Sequence, residues 1–215
     1  MLSCERVRAY LGIGSNLGDR AAHLAFARVA LAAAPGVRVV ACSGVYETRP
    51  LDCTGGAFFN QVLSVETDRS PRSLLSLLLE IERARGRERG DVAAGGPVEG
   101  PPAGDRGPVG PAGAAGLDDG ADGVEGARGR PRWRARPLDL DLLYASVGGR
   151  PVRRDGPDLV LPHPRLAERD FVLVPLREVA PGLRLAGRTL GELLEALDAG
   201  RRSVLRRVDR GASPP

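Results

Sequence analysis

The sequence contains no lysine, so all 31 of its basic side chains are arginines. Ala, Gly and Pro are abundant as well, and a coding bias is the first explanation of the missing lysine. Arginine also suits phosphate chemically, because its planar guanidinium presents a fork of donors that matches a phosphate group. The net charge of +4 fits an anionic small substrate as well as nucleic acid and does not choose between them.

Long hydrophobic runs are also absent. No stretch of about 18 apolar residues occurs, so no membrane-spanning helix is predicted. The first ten residues carry charges at Glu5, Arg6 and Arg8 and no apolar segment, which argues against a secretory signal. The three cysteines have neither CxxC spacing nor a histidine at metal-ligand spacing, and we expect reduced thiols. A cytoplasmic protein without a membrane partner is therefore predicted.

Aromatic residues are missing from one long segment. Residues 90–131 contain 13 glycines and 6 prolines but no aromatic side chain. Such a composition cannot bury enough surface to offset the entropy lost on ordering the chain. We therefore predict a single domain over residues 1–215, interrupted at about 90–131 by a disordered, low-complexity insertion.

Hydrophobic periodicity on both sides of this segment predicts the fold class. Apolar residues alternate in some segments and recur every three to four residues in others. These patterns predict strands at 7–13, 37–46, 57–67 and 138–144 and helices at about 20–34 and 71–86. The order strand, helix, strand, strand, helix, strand is typical of a ferredoxin-like sandwich. We predict an α+β fold with a mainly antiparallel sheet.

Three glycines after the first apolar alternation, Gly12, Gly14 and Gly18, predict a tight connection between strand and helix. Their spacing approaches the dinucleotide-binding fingerprint, but the last two glycines are four residues apart instead of three. No parallel series of alternating strands and helices follows. A Rossmann fold is therefore not predicted.

The strongest chemical signal is the aspartate pair Asp139 and Asp141. On a strand, alternate side chains share a face, so the two carboxylates point the same way while the intervening leucines point to the core. Two carboxylates held this close repel each other, and a divalent cation such as Mg²⁺ removes that repulsion. The pattern is common, and ordinary surface aspartates on a strand are the alternative.

Arginines flank this pair at residues 83–89 and 132–136. Arginines beside a carboxylate-bound metal are typical of phosphoryl transfer, in which catalysis consists mainly of positioning and charge neutralisation. The alternative is a basic helix end, because cations favour helix C-termini. That alternative accounts for Arg83 and Arg85.

Phe58 and Asn60 form a second pair with a period of two. Phe59, Leu63 and Val65 on the opposite face are the expected core residues. A phenylalanine beside an asparagine suits a flat heterocycle, because the ring can stack and the amide can both donate and accept hydrogen bonds. A partly covered edge aromatic is the alternative.

Two other functions remain open at this point. An arginine-rich ferredoxin-like module could bind RNA, although that function needs several exposed aromatic residues on the sheet. A metal-dependent nucleotide hydrolase would use water in place of an organic acceptor. The RNA-binding module would use the arginines, and the hydrolase would use the aspartate pair, so neither feature alone excludes these functions.

The motifs together resemble the hydroxymethyl-dihydropterin pyrophosphokinase family of folate biosynthesis. The similarity covers nearly the whole chain outside residues 90–131. It is carried by Tyr10-Leu-Gly-Ile-Gly-Ser-Asn-Leu-Gly-Asp19, Tyr46-Glu-Thr-Arg-Pro-Leu51, Phe58-Phe-Asn60, Glu82 with Gly86-Arg87-x-Arg89, Arg136-Pro-Leu-Asp-Leu-Asp141 and Leu161-Pro-His-Pro164 through Arg169-x-Phe171.

The resemblance implies transfer of pyrophosphate from ATP to the hydroxymethyl group of 6-hydroxymethyl-7,8-dihydropterin, with release of AMP. It implies that Asp139 and Asp141 hold two Mg²⁺ ions and that ATP is the co-substrate. The residues that it implies for catalysis are Arg87 and Arg136. Those that it implies for nucleotide binding are Glu82, Arg89, Trp133, His163 and Arg169.

The same resemblance implies a separate set of residues for the pterin. Phe58 and Phe171 would enclose its ring, and Asn60 with the chain near Thr48 and Leu51 would contact its polar edge. We expect a monomer whose partners are ATP and a reduced pterin, with no nucleic acid and no membrane.

Overall fold

The computed structural model describes residues 6–51, 56–86 and 137–208. The helices in these ranges are α1 (Arg20–Ala33), α2 (Pro71–Ala84), α3 (Asp170–Val179) and α4 (Leu190–Glu195). The strands are β1 (Val7–Ser15), β2 (Val37–Cys42), β3 (Tyr46–Thr48), β4 (Phe58–Thr67), β5 (Asp139–Val147), β6 (Arg150–Pro151), β7 (Arg154–Asp155), β8 (Val160–Leu161), β9 (Arg184–Leu185), β10 (Arg188–Thr189) and β11 (Val204–Arg207). The prediction of a disordered insertion falls on residues outside these ranges.

The main sheet has the strand order β11-β3-β4-β1-β5-β6, and β2 also pairs with β4. All of its pairings are antiparallel, and β1 lies between β4 and β5. The predicted α+β class with a mainly antiparallel sheet is therefore confirmed. Helices α1 and α2 make the two crossovers that the ferredoxin-like order requires.

The segment predicted as one strand at 37–46 forms two short strands instead. β2 pairs with the second half of β4 and β3 with its beginning. Between them, the Ser43 hydroxyl replaces a backbone carbonyl and accepts the N–H of Val62 at 2.9 Å. The side chain of Gln61 also donates to the Ser43 carbonyl at 2.7 Å. These bonds interrupt the ladder and let the chain bend before β3.

Two hydrophobic clusters cover opposite faces of the sheet. One contains the buried sides of α1 and α2, including the fully buried Leu24, Leu31, Leu74 and Leu78. The other contains α3 and α4, including Leu173, Leu176, Leu190 and Leu193. Burial of each large apolar side chain contributes about 1.5–3 kcal/mol. The sheet is thus sandwiched between two helical layers.

The helix starts follow the local sequence. Asp19 caps α1 by accepting the N–H of Ala22 at 2.9 Å, which is the usual role of an aspartate at a helix start. Ser70 accepts the N–H of Ser73 at 3.2 Å, and Pro71 occupies the first turn of α2. No helix among the described residues is long and apolar enough to cross a membrane.

A β-bulge in β5 decides which side chains face α3. Tyr10 is opposite Tyr144 and Leu11 is opposite Leu142, so Leu143 is an extra residue in β5. On one side of the bulge, Leu140 and Leu142 point into the cluster with α1 and α2. On the other side, Leu143 and Tyr144 join the cluster with α3. The bulge therefore places two successive side chains, Leu143 and Tyr144, on the face covered by α3, and the alternation resumes at Ala145.

Candidate active site

A cleft lies on the face of the sheet covered by α3, beside the first turn of that helix. The space within the cleft, including the open solvent at its mouth, is about 830 Å³. The cleft brings together eight of the residues that the sequence predicted for metal, nucleotide or pterin binding. These are Thr48, Leu51, Phe58, Asn60, Asp139, Asp141, Arg169 and Phe171.

Asp139 and Asp141, which we call the acidic wall, lie on the cleft face of β5. The leucines between and beside them are buried on the opposite face, as predicted. Across the ladder, the aspartates are opposite Gly14 and Gly12 of β1. Because these glycines have no side chains, the floor of the cleft stays open next to both carboxylates. The glycines predicted to form a tight connection after β1 therefore lie inside the strand and line the cleft, and only Gly18 lies beyond it.

The acidic wall fits a metal that arrives with a phosphate ligand. Among the described residues, no group of three or more His, Cys, Asp or Glu side chains could enclose a metal ion. Mg²⁺ commonly binds one or two protein carboxylates and completes its octahedron with substrate phosphates and water. Two carboxylates on one rigid strand supply that donor set.

Thr48, Phe58, Asn60 and Phe171, which we call the aromatic wall, line the other part of the cleft. The Asn60 side-chain Nδ2 donates to the Thr48 hydroxyl at 2.7 Å, and both residues are buried. This bond fixes the plane of the amide. A Cβ added at Gly14 would lie 3.1 Å from Asn60 Oδ1, so the amide oxygen rests directly against the glycine.

Two arginines add positive charge to the cleft near α3. Arg165 and Arg169 both line it, and the Arg169 guanidinium lies 5.4 Å from the centre of the Phe171 ring. Arg169 was predicted from the sequence, whereas Arg165 was not. Both cations lie in the cleft that also contains the carboxylates of the acidic wall.

His163 lies beside a second cavity of about 610 Å³ that shares Asp141 with the cleft. Its Nδ1 accepts the backbone N–H of Arg165 at 3.1 Å, so a neutral ring carries its proton on Nε2. Burial lowers the pKa of His163, and the nearby Arg169 and Arg165 lower it further, whereas Asp139 raises it. A neutral imidazole that donates from Nε2 suits an anionic ligand.

Aliphatic side chains line much of the second cavity, including Leu75, Leu140, Leu142, Leu159 and Val160. Sequence reasoning missed this cavity, because alternating or helical leucines predict core residues. Its position between α2, β5 and the chain before β8 depends on tertiary packing that periodicity does not encode.

Glu82 is not among the described residues that line the cleft or the second cavity. Its side chain is fully buried beneath β5, and its Oε1 accepts the backbone N–H of Leu140 at 2.7 Å. Leu140 lies between the two aspartates, so Glu82 supports the strand that carries the acidic wall. Its predicted contact with the nucleotide stays a prediction.

Four other predicted site residues lie outside the described ranges. These are Arg87, Arg89, Trp133 and Arg136. Their assigned roles stay predictions.

Comparison with known proteins adds independent evidence. The sequence model of the family described as 7,8-dihydro-6-hydroxymethylpterin-pyrophosphokinase (HPPK) matches residues 10–97 and 113–181. The chain belongs to the HPPK family. The break in the match, at 98–112, falls within the predicted insertion.

Individual HPPK relatives agree. The chain is 38% identical to the 2-amino-4-hydroxy-6-hydroxymethyldihydropteridine pyrophosphokinase of Methylorubrum extorquens, over 89% of this chain and 94% of that protein. It is 32% identical to the enzyme of the same name from Pseudomonas aeruginosa, over 88% of this chain and 91% of that protein. The predicted family and its class, an ATP-dependent pyrophosphokinase of folate biosynthesis, are therefore confirmed.

A solved structure described as HPPK-DHPS in complex with substrates has a similar fold. The TM-score is 0.56 at 11% identity, and the match covers 89% of this chain and 43% of the other. The chain thus spans less than half of that larger protein. At this identity the likeness supports the fold alone, and it agrees with the antiparallel sandwich described above.

Proposed function

We propose that this chain transfers pyrophosphate from ATP to the hydroxymethyl oxygen of 6-hydroxymethyl-7,8-dihydropterin, giving AMP. The observation that supports this most is the shared cleft of the acidic and aromatic walls. A carboxylate pair suits a metal–phosphate complex, and an amide between aromatic rings suits a flat polar heterocycle. Their proximity suits a reaction that joins the two ligands.

The pterin occupies the aromatic wall in this proposal. Phe58 and Phe171 contact the faces of its ring, and Asn60 reads its polar edge together with the chain at Thr48 and Leu51. The bond from Asn60 to the Thr48 hydroxyl supports this role, because an amide with a fixed plane distinguishes donors from acceptors. The amide is held before the ligand arrives, which lowers the entropy cost of binding.

ATP lies between the second cavity and the cleft in this proposal. The aliphatic cavity takes the base, and His163 and Arg169 contact the triphosphate as donors. Asp139 and Asp141 hold two Mg²⁺ ions, which neutralise phosphate charge when bound. Asp141 lines both spaces, which supports one nucleotide spanning them.

The chemistry that follows is an in-line displacement. The hydroxymethyl oxygen bonds to the β-phosphorus, the bond from that phosphorus to the α-phosphate oxygen breaks, and AMP leaves with the electron pair. The hydroxyl proton passes to solvent. The described residues contribute mainly by orienting the two substrates, because positioning and charge neutralisation dominate phosphoryl transfer.

The remaining predicted features belong to the same proposal. Arg87 and Arg136 act on the transferred group, and Arg89, Trp133 and Glu82 border the nucleotide. The protein works as a cytoplasmic monomer with one domain interrupted at about 90–131, without a nucleic-acid or membrane partner.

Calorimetric titration tests the two-ligand site. The pterin is added to the protein with Mg²⁺ and a non-hydrolysable ATP analogue, and then to the protein without the analogue. We expect saturable 1:1 binding in the first titration, because both walls are then filled. No pterin binding in either titration would contradict the proposed function.

A further inference from the structure

Asp170 is the first residue of α3 and lies between two cleft residues, Arg169 and Phe171. It is only 4% exposed, and it does not line the cleft. Its carboxylate accepts three hydrogen bonds. They come from the Ser203 backbone N–H at 2.6 Å, the Ser203 hydroxyl at 2.5 Å and the Val204 N–H at 2.9 Å. One carboxylate thereby fastens the start of α3 to the start of β11.

These bonds are energetically significant because they are buried. Ser203 is fully buried, and hydrogen bonds to an ionised carboxylate are roughly twice as strong as neutral ones. Removal of the carboxylate would leave two backbone N–H groups and a hydroxyl without their acceptor in the interior. We call this group, Asp170 with Ser203, the clasp.

The clasp is also connected to the β3 part of the aromatic wall. The Ser203 carbonyl accepts the Arg49 backbone N–H at 2.9 Å, and the Arg49 guanidinium donates to the Arg202 carbonyl at 2.6 Å. Val204 pairs with Thr48 in the sheet, and the Thr48 hydroxyl holds Asn60. Hydrogen bonds of residues 202–204 thus connect the start of α3, which carries Phe171, to β3, whose Thr48 holds Asn60.

We propose that Asp170 and Ser203 are positioning residues for the pterin, because they fix the spacing between Phe171 on α3 and the Thr48–Asn60 pair on the sheet. This inference rests on the proposed function. Neither residue touches the pterin in this scheme. Without the clasp, α3 and β3 are connected less directly at the cleft. The distance between Phe171 and the Thr48–Asn60 pair then varies, and the pterin ring is held less well between them.

The acidic wall does not depend on the clasp. Asp139 and Asp141 are held by β1 and by Glu82 beneath β5, and His163 follows β8. Among the described residues proposed to contact the nucleotide, only Arg169 adjoins the clasp. Loss of the clasp should therefore weaken binding of the pterin much more than binding of the nucleotide. A residue with a merely structural role would weaken both equally.

The test measures two dissociation constants for each variant of the full chain. One is for the pterin in the presence of Mg²⁺ and a non-hydrolysable ATP analogue, and the other is for the analogue with Mg²⁺ alone. For Asp170→Ala we expect pterin binding at least about tenfold weaker, because all three hydrogen bonds of the clasp are lost; a tenfold loss corresponds to about 1.4 kcal/mol. Analogue binding should stay within about threefold of the wild type.

Two conservative variants should lose less pterin affinity than Asp170→Ala. In Asp170→Asn, the amide oxygen can keep both backbone N–H bonds, and the Ser203 hydroxyl can rotate to accept from the amide nitrogen. We therefore expect pterin binding to recover to within about threefold of the wild type, because the number of hydrogen bonds is kept. Ser203→Ala loses one bond and should also weaken pterin binding by about threefold.

Leu193→Ala is the matched control for stability. Leu193 is buried in the same cluster as α3 but does not line the cleft. Its truncation should destabilise the protein through a cavity while leaving pterin affinity unchanged. Thermal unfolding of every variant shows which ones are folded at the assay temperature, and if Asp170→Ala is not, Ser203→Ala decides.

Each outcome decides one claim. Selective loss of pterin affinity, graded from Asp170→Ala to the conservative variants, supports the clasp. Unchanged pterin affinity in folded Asp170→Ala and Ser203→Ala, or equal losses for pterin and analogue, overturns the clasp and leaves the proposed function standing. Failure of the wild type to bind the pterin overturns the proposed function and the clasp with it.

Discussion

The two walls of the cleft are built in different ways. The acidic wall comes from one strand, β5, whose pairing with β6 begins only at Ser146, and its two residues are separated by a single position. The aromatic wall combines β3, β4 and α3, and its residues range from Thr48 to Phe171 along the chain. The first wall is held by a single ladder with β1, whereas the second adds side-chain hydrogen bonds of Asn60 and Asp170 to the ladder between β3 and β4.

This difference indicates how each half of the reaction can be tuned. A strand whose aspartates are paired with β1 in a regular ladder presents its carboxylates with little freedom, which suits a metal–phosphate complex of fixed geometry. A wall assembled from three elements can change its spacing through residues outside the cleft, as the clasp illustrates. We therefore expect substitutions in the acidic wall to abolish turnover and those around the aromatic wall to change pterin affinity by degrees.

The largest effect is expected for Asp139→Asn and Asp141→Asn. In the proposed site each removes one anionic metal ligand, and the charge stabilisation that a metal would supply is worth several kcal/mol, so kcat should fall by about a thousandfold or more. Asp155→Asn, an exposed aspartate on β7, is the matched control and should keep normal turnover. Steady-state assays over a range of Mg²⁺ concentrations measure this. Near-normal rates for either wall variant would contradict the assigned role.

A smaller, selective effect is expected for Asn60→Leu. Leucine has a similar volume but cannot hydrogen-bond, so the polar edge of the pterin would lose its partner, and kcat/KM for the pterin should fall by about a hundredfold. KM for ATP serves as the internal control and should change little. Thr48→Val keeps the amide but removes the hydroxyl that orients it, so a drop of about tenfold is expected. Equal losses for both substrates would argue against a separate aromatic wall.

Gly14→Ala tests how tightly the two walls meet. The new Cβ would lie 3.1 Å from Asn60 Oδ1, closer than ordinary van der Waals contact, and Thr48 restrains the amide from moving away. Pterin affinity should fall by about threefold to tenfold, because small steric shifts cost of order 1 kcal/mol. Gly191→Ala in α4 is the control, since its Cβ would have no atom nearer than 3.9 Å. An unchanged pterin affinity in Gly14→Ala would show that Asn60 can move freely.

The smallest effect is on the stability of the protein at alkaline pH and depends on Tyr46 of β3. Burial, together with the hydrogen bond to Glu178 and its negative charge, raises the pKa of Tyr46 to about 12. Because the unfolded chain loses this proton at a lower pH than the folded one, the free energy of unfolding should fall as pH rises from about 10 to 12. Tyr46→Phe removes that contribution. Denaturant midpoints at pH 9 and 11 should therefore fall less in the variant, and equal falls would refute the prediction.

Much of the fold and the whole acidic wall could be predicted from the sequence. Asp139 and Asp141 share a strand, and a period of two fixes their common face without any tertiary information. The same local rule places Phe58 beside Asn60. The start of α1 at Asp19 is equally local, because the cap forms within three residues.

Other features depend on contacts between distant segments. The division of 37–46 into two strands depends on Ser43 bonding to Val62, and the second cavity depends on how α2 meets β5. Gly12 and Gly14 were predicted to be turn residues but lie inside β1. Glycine occurs both in turns and where another group approaches the backbone closely, and the sequence alone does not distinguish the two. The burial of Glu82 beneath Leu140 has no local signature, since the two residues are far apart in the sequence.

The most direct test of the central claim is AMP formation from ATP with and without 6-hydroxymethyl-7,8-dihydropterin, in the presence of Mg²⁺ and after its removal by a chelator. The account predicts that AMP and a pterin carrying two phosphates appear in equal amounts, and only when both the pterin and Mg²⁺ are present. AMP formed at the same rate without the pterin, or ADP as the nucleotide product, would contradict it.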